Sequence, residues 1–320
     1  MITIDANDMN RTAGYPDLVD SIEAAFRGDF EVPLRHHHPI ARPGQPDATL
    51  LLMPAWTRMT DAVDPASRYI GLKQVTIFPG NEAAGEPTIL GVYILMSGTT
   101  GRPLAMIDAP ELTVRRTASA SALAARYLAR EDASTLLCVG AGALAPCLVR
   151  AHASVRPIRD VMVWNRNGDK ARALAETLRG EGMEAKAVDD LDAAVGQADI
   201  VTCSTMSDRP LVKGALLRPG THVDLVGAYR PDLRESDDEV MRRARIFVDT
   251  REGALSEGGD VVQPLKSGAI AEGDIVGDLF DLTAGRVRGR TAADEITAFK
   301  SVGTAIEDLA VAILLYERCR

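Results

Sequence analysis

The stretch Thr135–Ala145, "TLLCVGAGALA", constrains the fold of this chain more than any other. An apolar run of strand length enters a G-x-G-x-x-A turn. "ALAPCLVRAHAS" (Ala143–Ser154) then reads as a helix, with Pro146 tolerable in its first turn. Gly140 permits the tight turn, and Gly142 lets backbone N–H groups approach an anion at the helix N-terminus, with Ala143 and Leu144 completing the turn. Small-residue turns are common, so the pattern by itself also describes a plain strand-to-helix connection. Its context, strand before and helix after, predicts a dinucleotide pyrophosphate site.

The following segments repeat the alternation. "DVMVW" (Asp160–Trp164) is a strand and "GDKARALAETLRG" (Gly168–Gly180) an amphipathic helix with a glycine stop. "MEAKAV", "ADIVTCST", "THVDLVG" and "RIFVDT" supply further short strands between helical or turn segments, which argues for a doubly wound parallel sheet. The second strand runs into Asn165-Arg166-Asn167, where NAD-binding chains usually place an acid that accepts from the ribose hydroxyls. An acid there would repel a 2′-phosphate. Asn165 can still hydrogen-bond, and Arg166 offers a fork of donors to phosphate oxygens. "WNRN" therefore favours NADPH, with NADH possible; the plain alternative is an exposed turn with an ordinary surface Arg. Lys170 reads as a helper or as a solvated helix residue.

Residues 1–118 differ in character. "PLRHHHPI", "ATLLLMPAW", "IGLKQVTIF", "TILGVYILMS" and "PLAMID" are short β-type runs punctuated by Pro and Gly, predicting a mostly antiparallel sheet or a small barrel. "LTVRRTASASALAARYLAR" is a helix joining this region to the nucleotide unit, and a last helix over about 302–317 is expected to pack back on it. The predicted architecture is α/β: a doubly wound parallel sheet over 119–301, plus a discontinuous α+β domain of 1–118 with 302–320.

Arg35, Lys73 and Arg116 each lie within or beside an apolar run of that second domain. A cation there must find an anion or reach water. Converging, the three make a carboxylate pocket; singly, each reads as a surface charge, and spacing does not show which. His36-His37-His38 reads as a loop or strand-edge cluster rather than a metal site, because adjacent strand residues face opposite sides and no acid or Cys is near. No metal is expected. His152 and His222 have no partner motif, and without G-x-S-x-G a serine hydrolase is unsupported.

A formal net charge of −9 argues against a general nucleic-acid binder. "MITIDANDMN" is no secretory signal, and no apolar run approaches the roughly 20 residues that span a bilayer. Cys138, Cys147, Cys203 and Cys319 are scattered without metal spacing, so free thiols in a soluble cytoplasmic protein are expected.

Taken together, "LLMPAW", "GLKQVTIFPGN", "ELTVRRTASASALAARYLAR", "CVGAGALA", "VWNRNGDKA", "DLVGAYRPDLRESDDE" and "FKSVGTAIEDLAVA" resemble the ornithine cyclodeaminase/μ-crystallin family over nearly the whole chain. The resemblance implies a homodimer with an N-terminal substrate-binding and dimerisation domain and an NAD(P)-binding Rossmann domain. It also implies that Arg35, Lys73 and Arg116 bind the substrate carboxylate or stand near the reacting carbon. By the same resemblance, Val226 and Gly227 are expected to be cofactor-binding positions, and Thr117 and the Ser301–Gly303 turn to neighbour the nicotinamide.

Family members perform several reactions, so the name leaves the chemistry open. Cyclodeaminases carry an Asp in a "GGDCPGK" stretch, where it handles the substrate amine. The matching Val226–Arg234 is "VGAYRPDLR", which puts Tyr229 at that place. A phenol, neutral through the physiological range, does not replace a carboxylate, and the same departure counts against the alanine dehydrogenase branch. The stretch resembles the ketimine reductases instead. The expected reaction is NADPH-dependent reduction of Δ1-pyrroline-2-carboxylate to L-proline, or of Δ1-piperideine-2-carboxylate to L-pipecolate. Arg35 and Arg116 would clamp the carboxylate, and Lys73 would help hold it and relay a proton. The alternatives are ornithine cyclodeamination and a non-catalytic NADPH-binding, crystallin-like role.

Overall fold

Along Ala48–Thr57, Leu51, Met53, Ala55 and Thr57 are buried while the residues between them are half-exposed, the period-2 signature of a strand covered on one face. The computed structural model describes residues 1–60 and 63–320. It divides the chain into two compact units, Met1–Thr117 with Thr304–Arg320, and Ala118–Gly303.

The first unit opens with β1 (Ile2–Ile4), α1 (Ala6–Thr12), α2 (Tyr15–Arg27) and β2 (Phe30–Glu31). There follow β3 (His36–Ile40), β4 (Ala48–Thr57), β5 (Tyr69–Ile77), β6 (Ile89–Ser97) and β7 (Pro103–Asp108). Helix α3 (Ala109–Leu128) leads into the second unit. The sheet order is β1-β7-β6-β5-β4-β2, with β3 also on β4. All neighbours are antiparallel except β1 and β7. Because both edges stay open, the small-barrel alternative does not hold. Pro54, which has no N–H to give, lies where β4 passes from pairing with β3 to pairing with β2. Helices α1 and α2 are not announced by the strand-like runs. Asp5 caps α1 in a reciprocal box with Asp8, and α2 buries Leu18, Val19, Ile22, Ala25 and Phe26 at helical spacing.

The second unit contains β8 (Thr135–Val139), α4 (Ala145–Val155), β9 (Asp160–Trp164), α5 (Gly168–Gly180) and β10 (Glu184–Ala187). It continues through α6 (Leu191–Val195), β11 (Ile200–Cys203), β12 (His222–Leu225), α7 (Asp238–Arg243) and β13 (Ala244–Val248). Last come α8 (Arg251–Glu257), α9 (Gly259–Ser267), β14 (Ile275–Asp278), α10 (Leu279–Thr283) and β15 (Ile296–Lys300). Its sheet is parallel throughout, ordered β10-β9-β8-β11-β12-β15-β13-β14. The strand order reverses between β8 and β11, and such a reversal opens a crevice beyond the carboxyl ends of the strands. Alternate residues of β8 feed two cores: Leu137 and Val139 one, Leu136 and Cys138 the other.

The final helix, α11 (Ala305–Cys319), packs on α2, β4 and β5 of the first unit. It begins three residues later than the sequence suggests. The N–H groups of Val302 and Gly303 both donate to Asp249 Oδ2, at 2.7 Å, and so are held out of a helical turn. Ile306, Leu309, Val311 and Leu315 are fully buried; each such side chain contributes roughly 1.5–3 kcal/mol.

Candidate active site

In the second unit the crevice at the β8/β11 reversal is a cleft of about 800 Å³, lined by residues including Gly140, Gly142, Asn165, Arg166, Lys170 and Ser204. Gly140 has φ +117°, and a Cβ there would lie 3.0 Å from the Ser204 carbonyl oxygen, so conformation and space both demand glycine. A Cβ on Gly142 would meet no atom within 4 Å and would project into open space. Helix α4 begins behind this turn with Leu144 at its N-cap and no capping side chain; the Ala145 N–H closes the turn on the Gly142 carbonyl at 3.1 Å, which sets the helix start against the glycines. The Ser204 hydroxyl is buried and has no hydrogen-bond partner among the described residues. A glycine cradle, an uncapped helix start and an orphaned hydroxyl together fit a dinucleotide pyrophosphate.

At the end of β9, Asn167 is committed to structure: its side chain accepts from the Asp169 N–H at 3.0 Å as the N-cap of α5. Its carbonyl accepts from Asn165 Nδ2 at 3.0 Å. Arg166 is left exposed at the cleft with Lys170 and Arg209, and Asp208 lies on the same wall. Thus Gly140, Gly142, Asn165 and Arg166 come together. Ala143 and Leu144 continue the turn into α4. Val226 with Gly227, and Ser301 with Gly303, follow β12 and β15 and are not among the lining residues. Thr117 lies on α3 in the other unit.

In the first unit, Lys73 on β5, Arg116 on α3 and Asp308 on α11 converge. Lys73 Nζ lies 2.8 Å from Asp308 Oδ2 and 3.4 Å from Thr113 Oγ1. Arg116 Nε stands 2.9 Å from Asp308 Oδ1, and its Nη1 donates to Glu307 Oε2. The four charged groups are at most 5% exposed. Burial, and then the neighbouring Arg116 guanidinium, bring the Lys73 ammonium down to about 8 against the pull of Asp308; Arg35 adds a smaller push. Two of the three sequence-predicted cations therefore share one carboxylate. Sequence reasoning missed Glu307 and Asp308, although adjacent acids in the apolar run "AIEDLAVAILL" were the available signal. The three histidines form edge strand β3 and are exposed, and no metal-holding group occurs among the described residues.

Comparisons with known proteins agree on kinship. The chain is 44% identical over 270 residues to a Δ1-pyrroline-2-carboxylate reductase of Paracoccus denitrificans, covering 84% of this chain and 83% of that protein. It superposes with TM-score 0.91 and 34% identity on the Thermococcus litoralis Δ1-pyrroline-2-carboxylate reductase solved with NADH and L-proline, covering 100% of this chain and 97% of that one. An archaeal alanine dehydrogenase dimer with bound NAD gives TM-score 0.89 at 30% identity, covering 100% of this chain and 96% of that one. The sequence model of the ornithine cyclodeaminase/mu-crystallin family matches residues 4–320. With the glycine cradle in one unit and the buried Lys–Arg–Asp cluster in the other, the chain belongs to the ornithine cyclodeaminase/mu-crystallin family.

Proposed function

We propose that this chain is an oxidoreductase that reduces the C=N bond of a small cyclic ketimine carboxylate. The preferred reaction is Δ1-pyrroline-2-carboxylate to L-proline, with Δ1-piperideine-2-carboxylate to L-pipecolate as the second. The observation that carries this reading is Lys73, a buried amine at about 8 that is hydrogen-bonded to Asp308 and set beside Arg116. A bound reduced nicotinamide dinucleotide supplies the hydride. Gly140, Gly142 and the start of α4 hold its pyrophosphate. Arg166 and Asn165 take the adenosine ribose, where a fork of donors with no acid at the strand end favours NADPH over NADH.

Arg35 and Arg116 orient the substrate carboxylate, the Arg116 guanidinium being fixed by Glu307 and Asp308. Lys73 remains mostly protonated at neutral pH yet gives up its proton more readily than an exposed lysine. It can therefore keep the imine nitrogen protonated, the more electrophilic form. Tyr229 brings no carboxylate to free an ammonium, the demand that cyclodeamination of L-ornithine would make. The Paracoccus and Thermococcus relatives support the same substrate, and the dimeric alanine dehydrogenase supports a homodimer. Leu34, Ile40, Ile89 and Leu90, exposed on the first unit, fit such an association. All four cysteines are free, which fits a cytoplasmic setting.

The test is consumption of NADPH and NADH against a panel of cyclic imines, run beside ammonia release from L-ornithine. Turnover on the five-membered ketimine carboxylate is expected. Ammonia release at a rival rate would establish the cyclodeaminase reading, and tight cofactor binding without turnover on any imine would leave a binding protein.

A further inference from the structure

One acid in the second unit has no role in the chemistry so far and yet organises the wall of the nucleotide cleft. Glu235 is fully buried, in the segment after β12. Its Oε1 accepts from the Thr205 N–H at 2.6 Å and the Thr205 hydroxyl at 2.8 Å. Its Oε2 accepts from the N–H groups of Gly227 at 2.7 Å and Ala228 at 3.2 Å. Its main-chain carbonyl takes the N–H groups of Leu211 and Val212 at 2.8 and 2.9 Å. Thr205 and Leu211 stand near the two ends of the loop that forms one wall of the cleft. A single residue thus fastens both ends of that wall and joins it to the loop after β12. The loops approach so closely that a Cβ on Gly227 would lie 2.0 Å from the Thr205 carbonyl oxygen.

The carboxylate is itself held from behind. Asp260 on α9 accepts from the N–H groups of Glu235 and Ser236, both at 2.9 Å, and lies 3.5 Å from the buried ammonium of Lys300 on β15. We propose that Glu235, backed by Asp260 and Lys300, is the positioning residue for dinucleotide binding, shaping the cleft wall through the four donors that its ionised carboxylate gathers. The inference rests on the reading of the cleft as a dinucleotide site.

The titratable groups facing Glu235 are Asp260 on α9, Lys300 on β15 and Cys203 on β11. Burial, and then repulsion from Asp260, raise its carboxyl to about 7, against the opposing pull of Lys300 and the Thr205 bonds. A protonated carboxyl cannot accept from all four donors at once. The wall therefore loosens as pH falls through that value.

The experiment is NADH binding without substrate, followed by nicotinamide fluorescence from pH 6 to 8.5. NADH is the probe because it lacks the 2′-phosphate, which titrates in this window itself. For the unaltered protein the dissociation constant is expected to rise about tenfold from pH 8 to pH 6, the limit for one linked proton whose midpoint lies near 7. Glu235→Gln should bind NADH at least about tenfold more weakly at pH 8 and lose that pH dependence. Thr205→Val keeps the backbone bond and removes one donor to the carboxylate, so the midpoint should move to higher pH. Should Glu235→Gln fail to fold, the unaltered protein and Thr205→Val still decide. A flat profile in the unaltered protein, an unmoved midpoint in Thr205→Val, or equal affinities for Glu235→Gln and the parent would overturn the proposal. Binding of neither NADH nor NADPH by the unaltered protein at any pH would instead refute the dinucleotide reading on which it rests.

Discussion

Asp308→Asn tests the buried cluster most directly, because one carboxylate serves two cations. Asp308 lies 2.8 Å from Lys73 Nζ and 2.9 Å from Arg116 Nε. At an effective dielectric of about 20, each contact is worth about 6 kcal/mol of gross attraction, most of it offset by desolvation. Removing the charge while keeping the shape strands Lys73 beside Arg116 with Glu307 alone to balance them, and breaking a buried pair in this way costs about 3–5 kcal/mol. A urea titration at pH 6 should show that loss. The sign of its pH dependence follows from Lys73, whose amine is already lowered from 10.5 to about 8 by burial and Arg116, with Asp308 opposing. Without Asp308 the amine falls further and sheds its proton at a pH where the parent still carries it. The stability deficit of the variant should therefore shrink as pH rises from 6 to 9, since a neutral amine needs no counter-ion. In parallel, the alkaline limb of log kcat/KM for imine reduction should move to lower pH. A variant within 1 kcal/mol of the parent at pH 6, with its alkaline limb unmoved, would refute the assignment of Asp308 as the shared counter-ion.

Two further substitutions separate cofactor choice from reaction choice. Arg166→Ala should weaken NADPH binding by about 1.5–3 kcal/mol and leave NADH nearly unchanged, as the loss of a charge-assisted bond requires; equal losses by calorimetry would return Arg166 to the surface. Tyr229→Asp should lower kcat/KM for the ketimine carboxylate at least about tenfold, because a second carboxylate beside an anionic substrate is repulsive. It should not release ammonia from L-ornithine, since the rest of the cyclodeaminase loop is absent, and unimpaired imine reduction in this variant would place Tyr229 away from the substrate.

Local signals made much of the second unit legible. The strand, glycine turn and helix at Thr135–Ser154 each follow from a few neighbouring residues, and the helix at Gly168–Gly180 has the bounds that its amphipathic run and glycine stop give. The parallel α/β class followed from the alternation of such pieces. In the first unit the β-type runs became strands, but α1 and α2 went unread: α1 has only seven residues, and for α2 the helical spacing of Leu18, Val19, Ile22, Ala25 and Phe26 was the available signal. Sheet order was not legible at all: β15 inserts between β12 and β13 by pairing across distant sequence, and no local pattern encodes a neighbour. The same limit applies to the charged groups. Apolar surroundings already required Lys73 and Arg116 to find anions, and that much is composition and burial. Which anions they found depended on α11 returning to pack on β5. That return sets Asp308 against Lys73 from 235 positions away and Glu307 against Arg116 from 191. Hydrophobic period reports which face of a helix is buried. What that face meets is decided by packing, and there the pairing of the buried charges was determined.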